Sequence, residues 1–406
     1  MENKKNQEIY KIIMLVVLTA TITYIITVLN FSGKLSGFST NSLEKSEILN
    51  TNDYGTLNFN ELKAILEEKY IGDLDDEKML EGAIKGYVEG TGDPYTTYLT
   101  KEEMQALTEE TSGKYVGIGV YVTNNATDDT ILVVGVMKGS PALEAGMQAG
   151  DVIEKVDGVE YRGSQLTQAT SILKGEEDTD VKVTVLRDGE EIEMNITRKK
   201  IIVEHVTSKS LEGNIGYIQI DSFDDGVAEE FEKQYNVLKE NNIKGLIIDL
   251  RSNGGGVVDE ATAIADLFTE KGEAVLITKD KNENEEITKA KKEKVINDIP
   301  VVVLVNQATA SASEILAGAL RDNYEAIIVG KNTYGKGVIQ TVYRLSNGAG
   351  LKITTNEYFT PNHNEINAKG IKPDEEIELT RDSEGYYETS EDKDAQLLKA
   401  IEIINR

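Results

Sequence analysis

The chain has 406 residues, and at roughly 100–200 residues per domain it should fold as two to four units. Its 43 Lys and Arg against 71 Asp and Glu leave a net charge of −28, which repels phosphate backbones and argues against a nucleic-acid partner. There is no cysteine, which excludes disulfides, thiolate metal sites and cysteine nucleophiles; His205 and His363 alone supply imidazole, so no metal or cofactor is expected. Hydrophobic residues at 39% still allow sizeable cores.

Residues 1–32 read as a cytoplasmic tip and a transmembrane signal anchor. Ile12 to Leu29 is an 18-residue run without a charge, close at about 1.5 Å per residue to the ~30 Å of a bilayer core. Lys4, Lys5 and Lys11 precede it, so the remainder should lie outside the cytoplasm, and no A-x-A-like cleavage site follows. The expected protein is single-pass in the cell membrane. Residues 33–55 are polar and rich in Ser and Asn, a linker.

From 56 to 113 the apolar residues fall at helical spacing (Leu62, Ile65, Leu66; Met79, Leu80, Ala83, Ile84), and GTGDPYTTYL interrupts them with an Asp93-Pro94 turn. From 114 to 198 short β-rich runs take over. Two brief helices interrupt them, the first punctuated by Ser140, Pro141 and Gly146, the second running from Ser164 to Lys174. This layout, with GSPALEAGMQAGDVIEKVDGV, resembles a PDZ domain. In that reading Gly117, Ile118, Gly119 and Val120 offer backbone N–H groups to a C-terminal carboxylate, and Leu166 lines an apolar groove beside them. The expected ligands are proteins or peptides with apolar C-termini.

Beyond residue 199 strands alternate with helices: GYIQI, a helix from Ala228, GLIIDL, a helix from Asp259, AVLIT, VVVLV, a helix from Ala312, AIIVG. Much parallel pairing follows, with chemistry where strands hand over to helices. This core is taken as 199–380, and 381–406 as an acidic tail with a short helix.

Ser311 stands between a buried strand and a helix start, where free N–H groups favour developing negative charge. Ser311 to Glu314 also fits a capping box, and this segment alone leaves both readings open. Lys336 lies between Gly335 and Gly337; burial would make it a general base, and exposure an ordinary surface lysine. Gly330 to Lys336 matches G-x-x-x-x-G-K, but Gly337 replaces the Ser or Thr that Mg²⁺ needs and a strand follows, so a P-loop nucleotide-binding protein is the weakest reading.

IIDLRSNGGG (247–256), NQATASASEILAGALRD (306–322) and VGKNTYGKGVIQ (329–340) together resemble the C-terminal processing peptidases, or tail-specific proteases. The resemblance implies an α/β multidomain chain: a crotonase-like protease core with an inserted PDZ domain, an N-terminal helical region, and here one transmembrane helix ahead of them. It implies a serine endopeptidase whose nucleophile is Ser311, with Ser313 the neighbour most easily confused with it. The general base is Lys336, and Gln340 orients it from the same face of a strand. The N–H of Gly255 or Gly256 would join that of Ala312 as an oxyanion hole, and Asp322 would support the site. Gly254 departs from the family, which has Pro there. An inactive PDZ scaffold is the alternative function, and a homo-oligomer is compatible with the sequence.

Overall fold

The computed structural model describes residues 54–381 and 387–406. The anchor and most of the linker lie outside them; among the described residues no helix is long and apolar enough to cross a membrane. The chain divides into two units, Met1–Asp76 and Glu77–Arg406. In the first, helix α1 (Tyr54–Lys69) is described.

The second unit begins with α2 (Asp76–Glu89), the three-residue strand β1 (Thr97–Leu99) and α3 (Lys101–Ser112). A full capping box starts α3: Thr100 Oγ1 accepts the Glu103 N–H, and Glu103 accepts the Thr100 N–H. Gly113, at φ 60°, ends it.

The β-rich unit follows as β2 (Lys114–Gly117), β3 (Val120–Asn125), β4 (Thr130–Val136), the short α4 (Pro141–Glu144), β5 (Val152–Val156), β6 (Val159–Glu160), α5 (Leu166–Leu173), β7 (Asp180–Arg187), β8 (Glu190–Thr197) and β9 (Lys199–Ile202). Its sheet runs β3-β4-β5-β7-β8, with β6 on β5, while β2 pairs β9. Alternate residues of β7, Val181, Val183 and Val185, are buried with Ile131, Val133 and Ile153. Ser140 caps α4 by accepting the Leu143 N–H, as its placement before Pro141 predicts. The second helix is shorter than expected, because residues 163–165 form a 3₁₀ turn ahead of α5.

The core is built from β10 (Val206–Leu211), β11 (Ile215–Ile220), α6 (Val227–Glu240), β12 (Gly245–Asp249), α7 (Val258–Asp266), β13 (Ala274–Asp280), β14 (Glu285–Lys289), β15 (Val301–Val305), α8 (Ala312–Tyr324), β16 (Ile327–Gly330), β17 (Val338–Arg344), β18 (Gly350–Phe359), β19 (Glu375–Glu376) and α9 (Ala395–Ile404). One sheet runs β10-β11-β12-β15-β16-β19, parallel from β11 onward. Every residue of β12 and β15 is buried, as parallel strands covered on both faces require. Val301, Val303 and Val305 face a core shared with α6, α7 and α8, including Phe231 and Phe268. Val302 and Leu304 face Leu397, Ala400 and Ile404 of α9. The tail helix, read from sequence as lying beyond the core, therefore covers one face of its central sheet.

A second, antiparallel sheet runs β1-β18-β13-β14 with β17 on β18. AVLIT (β13) joins this sheet instead of the parallel one. β1, from the helical region, pairs β18 with Thr97 opposite Lys352, so that region adds a strand to the core.

Candidate active site

β15 ends at Val305, and a turn whose last two residues, Thr309 and Ala310, are buried delivers Ser311 to the N-cap of α8 at φ 57° and ψ −118°. A positive φ on a residue with a side chain costs on the order of 1–3 kcal/mol and persists only where the surroundings impose it. Those surroundings are visible. Glu314, fully buried, accepts the Ser311 N–H on Oε2 at 2.9 Å. The same oxygen takes the Lys336 N–H at 3.0 Å. Oε1 takes the Gly335 N–H at 2.8 Å and the Thr333 hydroxyl. The Tyr358 hydroxyl is 2.6 Å from the Lys336 carbonyl and 3.1 Å from that of Ser311. Burial first, then Glu314, holds this phenol well above its usual pKa, so it stays a donor.

The loop after β12 is tied to the same turn. Asn253, with no exposed surface, accepts the Ala310 N–H and the Ser313 hydroxyl on its carbonyl. Its side chain donates to Ile220 O and accepts the Gly255 N–H. Ser313 is thus spent on structure, which separates it from Ser311. Gly255, at φ 103°, lies so close to the serine that a Cβ there would stand 2.8 Å from Ser311 Cβ and 2.9 Å from Ala312 N. The Gly256 peptide is turned by a parallel bridge to Phe223, in which Phe223 N–H meets Gly255 O and Val257 N–H meets Phe223 O. The Gly255 N–H is committed to Asn253; those of Gly256 and Ala312 have no acceptor among the described residues.

Lys336 precedes β17, which starts at Val338, and a bulge separates Ile339 from Gln340. The residue left over at that bulge is Thr355 of β18, so the alternation along β17 itself is unbroken, and Lys336 lies two residues ahead of the strand. Gln340 Nε2 donates to Thr354 Oγ1 at 3.2 Å. Lys336 Nζ lies 4.8 Å from the centre of the Tyr95 ring. Burial lowers the Lys336 pKa, the Lys352 charge adds to this, and Asp93 and Glu314 oppose it.

Asp322 accepts the Asn362 N–H at 2.9 Å and so ties α8 to the turn beyond β18. At the PDZ unit a groove of about 70 Å³ is lined by Ile118, Gly119, Val120, Val122, Thr170 and Leu173, with Tyr115 and Lys174 at its side. Gly119, at φ 79°, faces Ser140, whose Cβ a side chain there would meet at 2.4 Å. Gly117 ends β2 just before it. Leu166 begins α5 and packs partly buried on the PDZ core instead of lining this groove. His205, expected to be structural or solvated, is half-buried 2.7 Å from Asp224; His363 is exposed in a turn. A larger cavity of about 610 Å³ touches Arg251, Ser252, Asn306 and Lys331 but neither Ser311 nor Lys336.

Sequence reasoning missed Glu314 as a hub, because S-x-x-E reads as a cap, and it missed Tyr95, Thr354 and Tyr358. The one available signal for Tyr95 was GDPYTTYL, taken only as a turn.

Comparison with known proteins gives the family of the chain and of its parts. Residues 214–377 match the peptidase family S41, residues 132–187 a PDZ domain, and residues 16–103 the N-terminal domain of the activating protease CtpB. The carboxy-terminal processing protease CtpA of Bacillus subtilis (strain 168) is 35% identical over 372 residues, 91% of this chain and 77% of that one. The CtpA-like serine protease of Staphylococcus aureus (strain N315) is 36% identical over 92% of this chain and 73% of its own. An S41 protease structure from Bacteroides fragilis shares the fold, with a TM-score of 0.52 at 16% identity, over 83% of this chain and 92% of that one. The chain belongs to peptidase family S41 as a PDZ-containing, serine-type C-terminal processing protease.

Proposed function

We propose that this protease works through a Ser311–Lys336 dyad, is tethered to the membrane by residues 12–29, faces outside the cytoplasm, and cuts proteins presented by their C-terminal tails. The observation that carries the dyad is the strained Ser311 at the start of a buried helix, bound through Glu314 to the loop of a lysine whose charge is disfavoured. Neutral Lys336 takes the proton as Ser311 Oγ attacks the scissile carbonyl, then gives it to the leaving amine. The N–H groups of Ala312 and Gly256 meet the oxyanion; Gly255 serves by close approach, its own N–H being held by Asn253. Gln340, bonded to Thr354, and Asp322, bracing Asn362, are positioning residues. The groove at Ile118, Gly119 and Val120 receives the apolar tail.

Incubating the chain with a disordered protein that ends in apolar residues tests this reading. Wild type should cleave it, and Ser311→Ala and Lys336→Ala should not. Activity surviving in either variant sinks the dyad. For the tether, a protease added to spheroplasts should digest the large domain without lysis; full protection would reverse the orientation.

A further inference from the structure

We propose that Tyr95, from the segment ahead of the PDZ domain, is a positioning residue for Lys336: its ring walls the amine off from water and fixes where Nζ sits. The inference rests on Lys336 being the general base and goes beyond it by making the protease core incomplete without residues 93–99.

The segment is built to hold that ring. Asp93 accepts the Tyr95 N–H at 3.0 Å and the Thr96 hydroxyl at 2.6 Å, an Asx-turn that aims the chain into β1. Thr96 is buried, and its Oγ1 takes the Thr354 N–H at 3.1 Å. Two residues after Tyr95, β1 is paired to β18. The chain just after the ring is thus fastened to the strand that carries Thr354, the partner of Gln340. Nζ stands over its face at 4.8 Å. The Tyr95 phenol titrates above its ordinary range because of burial and then its hydrogen bond to Tyr334, on the Lys336 loop itself.

A ring over an ammonium acts in two opposite ways. Its quadrupole attracts the cation, while its bulk removes water and disfavours the cation. Around Lys336 stand Lys352 and Tyr358 from β18, Glu314 from α8, Asp93 and Tyr95 from the segment before β1, and Tyr334 from its own loop. Asp93 and Glu314 favour the charge, yet the balance is toward neutral amine with burial the first cause. Burial as a whole therefore outweighs the two carboxylates around Lys336, and since the ring is part of that cover, removing it should return charge to Lys336.

The test is acetylation of Lys336 in the full chain across pH 6–11, followed by mass spectrometry in a Ser311→Ala background, so that no proteolysis is needed. Tyr95→Ala should move the midpoint up by about one pH unit, and Tyr95→Phe should restore it. Tyr95→Gln removes the ring but keeps a side chain of intermediate size that brings polar atoms to the amine, and should shift it in the same direction as Ala should Tyr95→Ala not fold. With Ser311 present, Tyr95→Ala should lose about tenfold in kcat at pH 7.5, regain it at higher pH, and leave KM unchanged. A midpoint that stays or falls in folded Tyr95→Ala or Tyr95→Gln protein overturns the role of Tyr95 alone. A wild type that cleaves nothing overturns the general-base reading, whatever the labelling shows.

Discussion

Ser311 and Lys336 donate their backbone N–H groups to one atom, Oε2 of Glu314, at 2.9 and 3.0 Å. A single buried carboxylate thus sets the spacing of the two loops, and the other oxygen holds Gly335 and Thr333. Glu314→Ala would strand these donors, and at about 1–3 kcal/mol for each buried unsatisfied group the loss should be about 3 kcal/mol or more. Glu314→Gln, which keeps shape but turns two N–H donors toward donors, should lower kcat far more than it raises KM. Urea unfolding and steady-state kinetics check both; an active, fully stable Glu314→Ala would remove the hub.

Lys336 gives a pH dependence whose sign follows from its lowered pKa. Between that value and the ordinary 10.5 of an unfolded lysine, the unfolded chain binds more protons, so stability rises with pH through this window. Lys336→Met should accordingly be more stable than wild type near pH 7, with the gap closing toward pH 10. Activity should rise with pH through the same lowered pKa. Lys336→Arg, always protonated, should be inactive throughout. Urea midpoints at several pH values and a pH–rate profile measure the two effects.

The loop after β12 separates two glycines. At Gly254 a Cβ would meet nothing within 4 Å, and among the described residues its N–H makes no hydrogen bond. Gly254→Pro should therefore be accepted, stabilising by about 0.4–1 kcal/mol through the unfolded chain, with kcat equal to or above wild type. Gly255→Ala puts a methyl 2.8 Å from Ser311 Cβ at φ 103° and should abolish cleavage. Thermal unfolding and a cleavage assay would expose a reversed order.

What was legible in the sequence was what period and punctuation encode. The apolar runs at 246–248 and 301–305 announced buried parallel strands, and Ser140-Pro141 announced a helix start. Ser311 and Lys336 came from the resemblance of three blocks to the C-terminal processing peptidases, since their own segments left both readings open. What failed was long-range assignment. AVLIT has the composition of either sheet, and only pairing to β18 decides between them. The register shift opposite Ile339 and Gln340, where Thr355 of β18 is left over, has no mark in the sequence. Tyr95 and Glu314 make contacts set by β1 on β18 and by the Lys336 loop, which the local patterns GDPYTTYL and S-x-x-E do not reveal.

The PDZ groove yields the last prediction. Its walls are Ile118, Val120, Val122 and Leu173, and its entry carries Gly119 at φ 79° beside the cap of α4. In the proposed function this groove should take an apolar final side chain, with the loop N–H groups left for the carboxylate. In the Ser311→Ala chain, a peptide ending in Val or Leu should bind, and its amide and its Asp-terminated form should bind at least about tenfold more weakly, since each leaves a polar or charged group without its partner. Thr170, on the groove side of α5, is the place to fill it: Thr170→Trp should weaken the Val peptide while leaving cleavage of short internal peptides intact. Lys174 offers a control, because it is paired with Glu109 at 2.9 Å outside the apolar wall and Lys174→Met should preserve the ranking of the three peptides. Equal affinity for all three peptides by titration calorimetry would show that tails are not read here.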